Sequence, residues 1–228
     1  MIRLTKRQRA EEVIRRLEPL YGHLTTGLRF ETPLELLVAT ILSAQCTDER
    51  VNLVTPALFE RYRTAEDYAH ADPSQLEEMV HSCGFFRNKT KSIQGAARGI
   101  CERFEGSVPD TMKDLLTLPG VARKTANVVL AHSFHKNEGI AVDTHVQRLS
   151  GRLRLSVETD PVRVETDLMK LVPRERWGEL SDLLIWHGRR VCGARTPQCG
   201  ACALADVCPS AFRAGTASQA RHLKAARA

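Results

Sequence analysis

The stretch "LLTLPGVARKTANVVL", residues 115–130, puts proline, glycine and a cationic pair between two apolar helical runs. "DLLTL" reads as the end of one helix, "PGV" as a tight turn, and "ARKTANVVLAHSF" as a second helix packed through Val128, Val129 and Ala131. A helix that starts on a glycine turn aims amide N–H groups at an anion, and a DNA phosphate suits that place. A purely structural helix hairpin has the same pattern. Lys124 sits in the first turn of the second helix, where the helix dipole and neighbouring Arg123 both disfavour another cation. The sequence therefore predicts a lowered lysine pKa, which a nucleophilic amine needs; a lysine that only pairs with phosphate needs no such shift.

A second set of residues speaks of metal. Cys192, Cys199, Cys202 and Cys208 crowd into "CGARTPQCGACALADVC", with spacing C-x6-C-x2-C-x5-C. Four thiolates hold either a tetrahedral zinc or an iron–sulfur cluster, and the short C-x2-C serves both. The two longer arms are unlike the close pairs of a zinc ribbon, and Pro209 after the last cysteine is a feature of ferredoxin-type ligation. Arg189, Arg190 and Arg195 would make the loop a basic surface. Cys46, Cys83 and Cys101 are scattered through apolar or mixed contexts and read as structural.

The elements that must position these groups read as helices almost throughout, with no sustained period-two alternation, so the fold class is all-α. "RQRAEEVIRRLEPLY" lines Ala10, Val13, Ile14, Leu17 and Leu20 on one stripe, and "TKSIQGAARGICERF" does the same with Ile93, Ala97, Ile100 and Phe104. Thr32 predicts an N-cap with Pro33 at the first helical position and Glu35 closing a capping box; Asp72–Pro73 and Asp160–Pro161 start helices in the same way. Pro56 predicts a kink or break near Thr55. Asp143 reads as a helix-start residue or, since Thr144 with Gln147 makes a better capping box, as a carboxylate left for chemistry. "HKNEG", residues 135–139, reads as a domain junction.

The chain has 228 residues, 43% of them hydrophobic, enough for one large or two small cores. Its 33 Lys and Arg against 27 acidic residues give a net charge of +6, which favours an anionic partner. No run is long and apolar enough for a membrane span, and the N-terminus turns charged too soon for a signal peptide, so the expected location is intracellular. The last stretch, "AFRAGTASQARHLKAARA", lacks an apolar face and reads as a basic flexible tail over 210–228.

"LPGVARKTANVVL", then "VDTHVQRLSGRL", then the four-cysteine spacing resembles the bacterial endonuclease III family of helix-hairpin-helix DNA glycosylases, over about Leu17 to Pro209. The resemblance implies two helical lobes: a six-helix lobe with the hairpin over 28–137, and a second lobe, 1–27 plus 138–209, carrying a [4Fe–4S] cluster on Cys192, Cys199, Cys202 and Cys208. It implies Lys124 as catalytic lysine and Asp143 as catalytic aspartate. DNA contact would come from Leu118, Gly120, Ala122, Arg123 and Thr125 of the hairpin, from Gln45 filling the gap left by a flipped base, and from Phe85 as a wedge. The implied activity is that of a bifunctional glycosylase and abasic-site lyase of base excision repair, removing oxidised pyrimidines such as thymine glycol. The implied partner is double-stranded DNA with damaged pyrimidines or abasic sites, met by a monomer in the bacterial cytoplasm at the nucleoid.

Three departures bear on this. Ala122 stands where the family's hairpin has a second glycine, tolerable only with negative φ. Phe85 stands where leucine is common, and Cys46 follows Gln45 where a smaller residue is usual. The competing readings are an adenine glycosylase of the same superfamily, a non-catalytic DNA-binding module and an electron carrier. The first typically lacks this lysine and carries a further C-terminal domain, and the second would have no need of both Lys124 and Asp143.

Overall fold

A computed structural model of the protein describes residues 4–213; residues 214–228 of the expected tail lie outside the described residues. Within the described part of that tail, Ala211 is buried. Among the described residues are eleven α-helices joined by turns and short 3-10 segments, with no strand.

Most helices start where a short oxygen-bearing side chain can accept a first-turn N–H. Thr32 accepts from Glu35 N with Pro33 at the first position, and Glu35 answers to the cap backbone, so the predicted capping box forms. Asp72 and Asp160 accept from Gln75 N and Arg163 N, each followed by proline. Pro56 does not break its helix: α3 runs Asp48–Arg61 through it. Proline removes one N–H from the ladder, and the surrounding packing of Val51, Thr55 and Leu58 holds the rest.

The chain divides into two compact units, residues 26–138 and residues 4–25 with 139–213. The continuous unit holds α2 (Pro33–Leu42), α3, α4 (Ala65–His70), α5 (Pro73–Val80), α6 (Phe86–Arg103), α7 (Met112–Leu115) and α8 (Arg123–Ser133). These are seven helical segments against the six expected from the resemblance. Buried all along residues 36–42, α2 is the central helix and packs on α3, α6 and α8. In α8 the buried residues are Ala126 to Leu130, so Leu130 rather than Ala131 completes the packed face.

The composite unit holds α1 (Lys6–Tyr21), α9 (Thr144–Arg152), α10 (Pro161–Met169) and α11 (Trp177–Arg190). Its core joins Val13, Ile14 and Leu17 of α1 to Val146 and Leu149 of α9 and Leu180, Leu183 and Leu184 of α11. Leu20, placed on the α1 stripe by periodicity, is 46% exposed; Tyr21 takes the core position in the last turn.

Candidate functional site

The hairpin owes its shape to α6. Gly120 has φ +76°, and a Cβ there would lie 2.5 Å from Ser92 Cβ; a Cβ on Gly95 would meet Pro119 at 2.9 Å, and one on Gly99 would meet Leu118 Cδ2 at 3.0 Å. Ser92, Gly95 and Gly99 thus form a small-residue groove on α6 that seats the turn 118–120. Leu118 is buried, and its carbonyl accepts from Val121 N at 3.1 Å, so its side chain belongs to the packing of the turn. Ala122 has φ −86° and ψ 167°, extended backbone that alanine adopts without strain. The condition set by the missing glycine is met. From there α8 begins with no side-chain cap, Lys124 is exposed in its first turn, and Arg123 and Thr125 flank it half-buried.

Beside the hairpin lies a cleft of about 300 Å³ lined by Gln45, Phe85, Lys89, Ser92, Gly120 and Thr125, among others. Gln45 (φ 54°) and Phe85 (φ 47°) both have left-handed backbone, which costs a non-glycine residue about 1–3 kcal/mol. Both are exposed, Phe85 at 65%. Glu105, His135, Arg154 and Phe212 share this backbone and are exposed too, so what sets Gln45 and Phe85 apart is that both line the cleft. Phe85 also starts α6, which like α8 has no side-chain cap, whereas α2, α3, α4, α5 and α7 are capped by threonine or aspartate. Residues of two such helix starts, each the positive end of a dipole, line this one cleft.

Lys89 closes the cleft floor. It is only 4% exposed, and its Nζ donates to Cys83 O at 2.8 Å, pinning the turn that carries Gly84 and Phe85. Burial lowers the Lys89 pKa, while the nearby Cys46 and Cys83 sulfurs act in the opposite direction.

In the composite unit Asp143 is itself the N-cap of α9, which corrects the reading that gave the cap to Thr144. Its Oδ1 accepts from both His145 N and Val146 N at 2.8 Å, and its backbone is extended (φ −100°, ψ −173°). Gln147, the expected capping partner, instead donates to Thr159 O. The approach to Asp143 is anchored on both sides: Ile140 N donates to Glu165 Oε1 at 3.2 Å and Ser181 Oγ donates to Ala141 O at 2.7 Å.

The other end of α9 grips the cysteine loop. Arg148 donates to Gly188 O and Cys192 O, and Arg152 to Cys192 O, Gly193 O and Ala194 O. Arg152 Nη1 also lies 3.2 Å from Cys192 Sγ. All four cysteines of the loop line one cavity with Arg152. Burial pushes the Cys202 and Cys208 thiols up, so their anions need a cationic group to pair with. His187, 2% exposed, has its pKa pushed down to about 4 by burial, leaving the ring neutral. Its Nε2 lies 3.3 Å from Cys202 Sγ and its Nδ1 3.4 Å from the Tyr21 hydroxyl, which suits a chain in which Tyr21 donates to the ring and the ring donates to sulfur. The flanking arginines Arg189, Arg190 and Arg195 are exposed, and the first two stack over Trp186 at 5.2 and 5.1 Å.

Residues 38–174 match the HhH-GPD superfamily of base excision DNA repair proteins. The chain belongs to that superfamily. Within it, the chain is 60% identical to the endonuclease III of Synechocystis sp. over 91% of its own length and 94% of the relative's. It is 38% identical to that of Escherichia coli, covering 86% and 93% of the two chains. A solved trapped covalent intermediate of endonuclease III with DNA, an estranged-adenine complex, matches at TM-score 0.87 and 39% identity over 95% of this chain and all of that one. A thermostable thymine-DNA glycosylase shares the fold at TM-score 0.78.

Of the expected superfamily contact residues, the cleft gathers Gln45, Phe85, Gly120 and Thr125. Sequence reasoning missed Lys89, Asn88 and Ser92, which line the same cleft on α6. For Ser92 the serine and glycine spacing at 92, 95 and 99 was the available signal, since small residues at helical intervals mark close approach by a neighbour.

Proposed function

We propose that this chain excises oxidised pyrimidines such as thymine glycol from double-stranded DNA and cleaves the resulting abasic strand, with Lys124 as the nucleophile and Asp143 as a catalytic carboxylate. The observation that carries the reading is the cleft on which strained Gln45 and Phe85 meet the hairpin's Gly120 and Thr125. The damaged nucleotide leaves the stack because its glycosidic bond is inaccessible inside it. Phe85 wedges between bases and Gln45 fills the gap, while a phosphate docks at the uncapped start of α8. Asp143 holds Oδ1 in the α9 cap and keeps Oδ2 for the positive charge that develops on the sugar. Neutral Lys124 attacks C1′, the base departs, and the amine–sugar adduct loses its ring C–O bond to give a protonated Schiff base. That cation acidifies the C2′ hydrogen, and β-elimination breaks the strand on the 3′ side. The trapped covalent intermediate of the related endonuclease III supports a covalent route.

The donor set of Cys192, Cys199, Cys202 and Cys208 fits a [4Fe–4S] cluster. All four residues line one cavity, and their C-x6-C-x2-C-x5-C spacing is unlike the two close pairs of a zinc ribbon. Cys192, Cys199, Cys202 and Cys208 would hold the cluster, which when bound would supply the positive charge that buried thiolates require; Arg148 and Arg152 orient Cys192. The protein acts as a monomer in the bacterial cytoplasm; no described helix is long and apolar enough to cross a membrane.

Borohydride trapping on duplexes with thymine glycol or an abasic site tests the reading. Adducts on both, absent in Lys124→Ala, are expected. Trapping on the abasic duplex alone leaves a lyase without this base-removing role. DNA binding with no adduct on either duplex removes Lys124 as nucleophile.

A further inference from the structure

Two cysteines outside the four-cysteine loop lie close in sequence to two residues that line the cleft, Gln45 and Phe85. Cys46 follows strained Gln45, and Cys83 precedes Gly84 and strained Phe85. Although 36 residues separate them in the chain, their neighbours Gln45 and Phe85 line one cleft and the two thiols act on each other electrostatically. Lys89, buried and bonded to Cys83 O, presents its charge to both sulfurs, and Arg50 adds a second cation toward Cys83. The pair differs in access: Cys46 is half-buried and Cys83 is 2% exposed.

We propose that Cys46 and Cys83 form a dithiol modification site that takes a disulfide oxidant of the glutathione class and closes to an intramolecular disulfide, cross-linking the Gln45 and Phe85 loops.

The order of events follows from access. The Cys46 thiolate attacks one sulfur of the oxidant, forming a mixed disulfide and releasing one glutathione thiolate. The Cys83 thiolate then attacks the Cys46 sulfur, forming the Cys46–Cys83 bond and expelling the second glutathione. Two protein thiols are oxidised, one oxidant disulfide is reduced to two thiols, and the two protein protons pass to the released thiolates or to solvent. Burial pushes the Cys83 thiol up to about 11, so it is a poor first attacker, and Lys89 and Arg50 favour its anion when its turn comes. A disulfide fixes its two Cα atoms about 4.4–6.8 Å apart, so closure sets the spacing of the two loops. Whatever binds through Gln45 and Phe85 then loses its fit; that consequence, unlike the cross-link, rests on the DNA-repair reading.

Trypsin isolates each thiol on a peptide with one cysteine: Phe30–Arg50 for Cys46 and Thr64–Arg87 for Cys83. The full-length, metal-loaded protein is incubated with glutathione disulfide, alkylated and digested without reduction. The expected product is the two peptides joined, with Cys46→Ser giving no cross-link and Cys83→Ser trapping glutathione on Cys46. Separate glutathione adducts on both cysteines, or no modification of either, would overturn the site. In parallel, affinity for an abasic-site duplex is expected to fall about tenfold or more on oxidation, to recover with dithiothreitol, and to stay unchanged in oxidised Cys46→Ser. A cross-link that leaves affinity intact refutes control of the loops. Reduced protein that binds no lesion duplex sinks the repair reading, and the peptide map still decides the cross-link.

Discussion

One carboxylate oxygen of Asp143 suffices for the α9 cap, because both first-turn amides reach Oδ1. Structure and chemistry at this residue can therefore be separated by substitution. Asp143→Asn keeps a capping oxygen and removes the charge, so kcat should fall about 10²-fold or more while the melting temperature holds. Asp143→Ala loses the cap too and should cost about 1 kcal/mol of stability besides. Equal thermal losses in the two variants would refute the division, and thermal denaturation beside single-turnover kinetics measures it. The adjacent Asp143 and Thr144 are both good caps, and only the extended backbone at 143 decides between them, which no local sequence rule reads. Lys89 was illegible for a related reason. A lysine next to Thr90 on a helix reads as solvated, and its burial depends on Cys83 O, a partner supplied by the turn before the helix.

At the scale of elements, local chemistry was legible and close approach was not. The proline-led caps at Thr32, Asp72 and Asp160 are written within four residues of sequence, and all three form. The seating of the hairpin on α6 joins residues 92–99 to 118–120, and its only local trace is the small-residue spacing. Gly120→Ala should cost about 1–3 kcal/mol, combining left-handed strain with the collision against Ser92. Adding Ser92→Gly should recover the collision part alone, so chemical denaturation of the two single variants and the double variant should reveal coupling. Phe85→Gly moves in the opposite direction. Glycine takes φ 47° without penalty and removes a side chain that is 65% exposed, so stability should rise by about 1 kcal/mol while abasic-site affinity drops. A variant that is both less stable and fully binding would show that Phe85 serves packing.

At the scale of the whole chain, the composite unit is assembled from its two ends, and α1 is the piece that arrives from far away in sequence. It brings Val13, Ile14 and Leu17 to the core, bonds Arg16 to Ala203 O and Asp206 in the cysteine loop, and sets Tyr21 against His187, which touches Cys202. The apolar stripe of α1 was legible from its period, whereas its destination was not, since nothing local links residues 10–21 to residues 187–206. The continuous unit has its own core around α2. Leu17, fully buried, therefore offers a test of how stability is partitioned. Leu17→Ala removes buried methyl groups and leaves a cavity, at a cost of about 2–5 kcal/mol. If the units open separately, amide exchange should quicken across α1, α9, α10 and α11 and iron retention per chain should fall, while α2 and α6 keep their protection. Equal loss of protection in both units would mean that the chain unfolds as one cooperative body, and that the cysteine loop depends on all of it.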